Sequence, residues 1–85
     1  MIVKRILLRQ TLTRMEAEAS PAKKRAIEAV LGNRRALRAL NERVDELADA
    51  RVGVAAFGDG QLLKWLWERR EEILAFVLRI MDLFK

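Results

Sequence analysis

The sequence contains no cysteine, no histidine and no tyrosine. Without cysteine there are no disulfides and no thiolate chemistry, and the redox compartment is left open. Without cysteine or histidine no zinc site can be assembled. Hydroxyl side chains are confined to Thr11, Thr13 and Ser20, all within the first twenty residues. A hydroxyl nucleophile needs a base in reach, and the neighbours here are Arg and Lys. Paired carboxylates remain, Glu71 with Glu72 and Asp45 with Asp49, as general acid–base work would need. They fall on polar helix arcs, where a solvated charged face accounts for them. The acidic residues also lack the spacing of a calcium loop. The expectation is a chain that is not an enzyme, with no metal, no cofactor and no small-molecule substrate.

Long hydrophobic runs are missing too. A spanning helix needs ~18 or more uncharged apolar residues. The longest candidate, residues 73–84, is interrupted by Arg79 and Asp82. The N-terminus has neither the apolar run nor the small-residue cleavage site of a signal peptide. The expected location is the cytoplasm or the interior of a macromolecular particle.

What is present is amphipathic. Apolar residues make up 52% and charged residues 34%, with one proline and four glycines. That pairing excludes a disordered chain and suits helices. Val and Ile never alternate with polar residues over a strand-length run, so the period-2 signal is weak. Eighty-five residues make one domain, whose stability is marginal unless its helices pack well or it oligomerises.

The spacing predicts three helices, about residues 2–19, 21–51 and 60–84, in a single domain over 1–85. Leu8, Leu12, Met15 and Ala19 share one face of the first, and a short strand over residues 2–8 is the alternative. Ser20-Pro21 separates it from the second, with Ser20 as cap and Pro21 in the first turn. The second helix carries Ala26, Val30, Leu37, Leu40, Val44 and Leu47 at nearly heptad spacing. A continuous helix is expected there, about 45 Å long. Gly32-Asn33 is its weak point and also reads as a helix stop. Residues 52–60 form a glycine-containing connection. It is apolar at Val54, Ala55, Ala56 and Phe57 and is expected to pack against helix ends, and Asp59 is expected to cap the third helix.

The third helix carries two adjacent apolar stripes. One is Leu62, Leu66, Ile73, Phe76, Ile80 and Leu83; the other is Leu63, Trp67, Leu74, Val77, Met81 and Phe84. Together they span roughly 220°, against ~100° for a surface helix. Such a helix must be covered on two sides, by its own chain, by copies, by a partner or by lipid. Arg69 and Arg70 lie inside the arc, one turn after Trp65 and Trp67. Arg and Trp are enriched at binding hot spots, and a guanidinium can stack on an indole at this spacing.

Charge is unevenly spread around a net of +5. Residues 1–40 carry ten basic and three acidic side chains, whereas residues 41–60 carry two and five. On a continuous second helix Lys23, Lys24, Arg34, Arg35 and Arg38 share a face, and arginine suits phosphate contacts. The same face continues as Glu42, Asp45 and Asp49, and no aromatic interleaves with the cations to stack bases. The face is nearly self-complementary, so an antiparallel pair of second helices would match arginines to acids; intrahelical pairs such as Arg38–Glu42 are the simpler explanation of the same pattern.

The sequence thus points to an all-α, three-helix hairpin or bundle that is oligomeric. Its expected role is a structural or assembly protein working through helix–helix contacts, as an oligomer or as a subunit of a larger particle. A viral or phage particle is one setting that fits a small arginine-rich helical chain. The expected protein interface is Trp65, Trp67, Arg69, Arg70, Phe76, Met81 and Phe84, with Leu37, Leu40 and Val44. A nucleic-acid-binding accessory protein, using Lys23, Lys24, Arg34, Arg35 and Arg38, is the alternative. A membrane-surface amphipathic helix, suggested by tryptophans beside cations, is the third.

Overall fold

A computed structural model describes residues 3–49 and 58–84. Its elements are α1 (Arg5–Glu18), α2 (Pro21–Leu31), α3 (Arg34–Asp49), α4 (Asp59–Glu68) and α5 (Arg70–Leu83). The described residues contain no strand, so the fold is all-α and the alternative strand at the N-terminus does not form. Residue 2 and the apolar part of the connection, residues 52–57, lie outside the described residues.

Among the described residues five helices stand where three were expected, because two of the three are broken. Residues 21–51 do not form one helix. The largest dimension of the molecule is 35 Å, shorter than the ~45 Å such a helix would need. α2 stops at Gly32 and α3 starts behind Asn33, whose side-chain oxygen accepts from the amides of Arg35 (3.0 Å) and Ala36 (3.2 Å). That is an N-cap, and it satisfies two of the amides that a helix start leaves unpaired. Residues 60–84 also divide, at Arg69 (φ −99°, ψ 16°). The Arg69 amide is shared between the carbonyls of Trp65 and Leu66, both at 3.1 Å.

Ser20 and Pro21 occupy the expected positions before and inside the first turn of α2, although the Ser20 hydroxyl makes no cap hydrogen bond. The N-cap of α4 is Gly58 rather than Asp59. Its amide donates to Gln61 Oε1 at 3.4 Å, half of a capping box. Asp59 lies in the first turn instead, where its charge suits the helix dipole, and it pairs with Lys4 at 3.2 Å.

α1 packs against α2 and α4, while α5 packs against α2 and α3. The core lies between them. Leu8 and Leu12 from α1, Ile27 and Val30 from α2, and Leu40 and Val44 from α3 meet Leu66, Ile73 and Val77 from α4 and α5. Each fully buried Leu or Ile of this set contributes about 1.5–3 kcal/mol. The wide arc of residues 60–84 is therefore covered mostly by the chain itself. Leu62, Leu66, Ile73, Val77 and Ile80 form one buried line, flanked by half-buried Leu63, Trp67, Leu74, Phe76 and Met81.

The N-terminal segment is clamped onto α3. The Val3 amide donates to Asp45 Oδ1 at 2.7 Å, and Asn41 Nδ2 donates to the Val3 carbonyl at 3.1 Å. Asn41 and Asp45 are one helical turn apart and hold both backbone groups of one residue. This lets Val3 be fully buried without stranding its peptide groups. Asn41 Oδ1 has no partner among the described residues.

Candidate functional site

Trp67 is the side chain around which the surface is organised. It sits in the last turn of α4 with its ring half-buried. Arg14 of α1 lies over the ring with its Cζ 4.0 Å from the centroid, and Arg70 lies over it at 4.7 Å. Arg70 also donates from Nη1 to the Trp67 carbonyl at 2.9 Å, pairing one of the carbonyls freed where α4 ends. Arg69, on the half-buried side, pairs with Glu72 at 3.4 Å.

Trp67 divides two open grooves. One, of about 410 Å³, is lined by Gln10, Thr11, Arg14, Gly60, Leu63 and Lys64. The other, of about 240 Å³, includes Lys23, Ile27, Arg70 and Leu74, together with Glu18 and Glu71. α1 and α4 supply the walls of the first; α1, α2 and α5 supply those of the second. Arg14, Lys23, Lys64 and Arg70 are exposed, and among the described residues none of the four pairs with a carboxylate.

The expected interface residues separate into two groups. Leu37, Leu40, Val44 and Trp65 are buried in the core of the chain itself, so intramolecular packing accounts for the heptad-like seam. Trp67, Arg69, Arg70, Phe76, Met81 and Phe84 keep exposed surface. Phe84 joins Leu78 and Leu83 as exposed apolar residues of α5 and the turn after it, with relative exposures of 37%, 44% and 78%. Ile6, at 61%, is the other large exposed apolar side chain among the described residues.

The expected basic face is not one face. The break at Gly32-Asn33 puts Lys23 and Lys24 on α2, and Arg34, Arg35 and Arg38 on α3, all five exposed. Arg38 pairs along its own helix with Glu42 at 3.9 Å, and Asp45 holds the Val3 amide. Two of the acids assigned to an antiparallel partner thus have partners inside the chain.

Sequence reasoning set Arg69 and Arg70 one turn after Trp65 and Trp67, and of these the structure stacks Arg70 on Trp67; it missed Arg14 and Lys64. The i to i+3 spacing within residues 60–84 carries the first contact. The second depends on which helix α1 faces. One signal existed: Arg14 adjoins buried Met15, at the edge of the apolar stripe of α1, where a long side chain reaches a neighbouring helix.

One carboxyl has a perturbed titration. Glu16 of α1 is held above its ordinary value, chiefly by a hydrogen bond with Glu28 of α2. Partial desolvation and Glu28's charge add to this, and Lys24 opposes it. Among the described residues no three acidic side chains gather as metal donors would. No helix of the described residues is long and apolar enough to cross a membrane.

No protein-family model, no curated protein and no solved structure matches this chain.

Proposed function

We propose that this chain is a non-enzymatic assembly protein that acts through helix–helix contacts, as an oligomer or as a subunit of a larger particle. The observation that carries the reading is the position of its exposed apolar side chains. Three of the four large ones among the described residues, Leu78, Leu83 and Phe84, lie on the last two turns of α5 and the residue after it. Half-buried Phe76 and Met81 border them. Apolar surface gathered at one end of a small protein marks an interaction site, whereas scattered single residues do not.

The test is mass in solution by light scattering on a sizing column, over a wide concentration range. The wild type should run as a defined oligomer that tightens as salt rises, since salting strengthens apolar burial. The double variant L83E/F84E should run as the 9.8 kDa chain with unchanged helical circular dichroism. A wild type that stays monomeric at every concentration would exclude self-association. If mixing with its particle's other components also left the mass unchanged, the assembly reading would fall.

A nucleic-acid-binding accessory protein is the second reading. It is favoured by the exposure of Lys23, Lys24, Arg34, Arg35 and Arg38 and by the excess of cations in residues 1–40.

A further inference from the structure

We infer that the two grooves beside Trp67 form a binding site for single-stranded nucleic acid. The inference rests on the nucleic-acid reading and gives it a different location from the α2 and α3 cations. It is independent of the apolar end of α5.

Three observations carry it. First, an arginine lying over an indole is fixed in orientation while the edges of its guanidinium remain available. Those edges carry the paired N–H donors that fit a phosphate. Arg14 and Arg70 are both held over one ring, at 4.0 and 4.7 Å; Arg70 gives one Nη1 donor to the Trp67 carbonyl and keeps its remaining N–H groups. Second, the surrounding charge is uncommitted. Arg14, Lys23, Lys64 and Arg70 form no ion pair with a described carboxylate. Glu18 and Glu71, which line the smaller groove, oppose them and leave a positive excess. Third, the ring is shared by two open grooves, of about 410 and 240 Å³. A strand running through both would place successive nucleotides on either side of Trp67.

The occupant is a single strand because stacking on a guanidinium plane that itself lies over the indole requires splayed bases. A duplex keeps its base faces covered. An acidic peptide would meet the four cations but has no flat group for the guanidinium planes to stack against.

The experiment is titration of the full-length protein with labelled oligothymidylate of about twelve nucleotides, within the site sizes such proteins cover. Anisotropy reports binding and tryptophan fluorescence reports contact, with buried Trp65 as a constant background. Binding should quench Trp67 and weaken with salt at a log–log slope of roughly −3, for four cations meeting a single strand. R14Q/R70Q should lower affinity about tenfold or more with mass and helicity unchanged. W67L should remove the quench and lower affinity about tenfold; because it touches the core, the arginine pair is the deciding variant.

Absence of oligonucleotide binding would overturn both this inference and the nucleic-acid reading. Binding that survives R14Q/R70Q but is lost in R34Q/R35Q/R38Q would keep the reading and overturn the site. Equal binding of a duplex would overturn the single-strand assignment. Polyglutamate that binds and quenches as well as the oligonucleotide would assign the grooves to an acidic protein instead.

Discussion

At Gly32-Asn33 one helix ends and the next begins on a cap that the local residues supply. At Arg69 a helix ends and another begins with no glycine or proline nearby. The first break is chemical. Asn33 turns its side-chain oxygen onto two amides of α3, and the Gly32 amide still reaches the Glu28 carbonyl at 3.0 Å. The second break is mechanical. α4 is drawn against α1 while α5 is drawn against α2 and α3, and the chain bends where those demands meet. Arg70 then covers the Trp67 carbonyl and Arg69 pairs with Glu72 across the bend. A break made by a cap can be read from a dipeptide. One made by packing becomes visible only with the partners in place.

The sharpest way to separate the two is to remove packing beside the second. Leu66 is fully buried in the last turn of α4, and its carbonyl accepts the Arg69 amide. L66A should cost about 2–5 kcal/mol, a large share of the stability of a domain this size. Urea unfolding followed by circular dichroism would measure it. A loss below about 1 kcal/mol, the scale of a single cap, would mean that local hydrogen bonds rather than packing hold the bend.

The first break should fail on a smaller scale and for a local reason. N33A removes the acceptor for the Arg35 and Ala36 amides and should cost about 1 kcal/mol, read from the same unfolding curves. N33D keeps an acceptor and should cost less. Equal losses for both variants would show that the side-chain oxygen is not what starts α3.

The neighbouring glycine should behave in the opposite way. Gly32 has φ −87° and ψ −1°, a conformation open to any residue. A Cβ there would meet the Glu28 carbonyl at 3.5 Å and the Ala29 carbonyl at 3.9 Å, ordinary contact distances. G32A should therefore be neutral or stabilise by up to about 1 kcal/mol, by reducing the freedom of the unfolded chain. A loss would show that the turn needs glycine after all.

This contrast explains what was legible. The all-α class, the Ser20-Pro21 junction and the breaker at Gly32-Asn33 are local signals, and each is visible in a few residues. A heptad-like count across Gly32 argued for one long helix, because Val30 and Leu37 stay in register on paper. The cap at Asn33 overrides that register. The wide arc of residues 60–84 was legible as an excess of apolar surface, but not its cover, because α1, α2 and α3 each supply part. That two arginines follow two tryptophans by one turn was legible, but not that Arg70 and Trp67 are the pair that stacks. Arg14 was not, because its contact with Trp67 spans fifty-three positions of chain and depends on how α1 docks.

The smallest expected effect is one of pH, on the helix that leads into the first break. Glu28 lies in the last turn of α2, where no basic side chain offsets the helix dipole. The hydrogen bond that a protonated Glu16 can make to it raises the Glu16 pKa. A raised carboxyl pKa means that the folded state holds this proton more tightly than the unfolded chain does. The contribution is fully present below the ordinary carboxylate value and is lost as pH rises through the raised one. Once Glu16 has lost its proton, its charge meets that of Glu28 across the α1–α2 contact. E16Q keeps a hydrogen-bonding side chain and removes one charge. It should raise the melting temperature slightly at pH 7, and the gain should shrink toward zero near pH 4 and in high salt, where exposed charges are screened. A pH-independent difference would mean that Glu28 does not raise the Glu16 pKa in solution. A loss at pH 7 would mean that Lys24, which opposes the shift, is the stronger partner of Glu16.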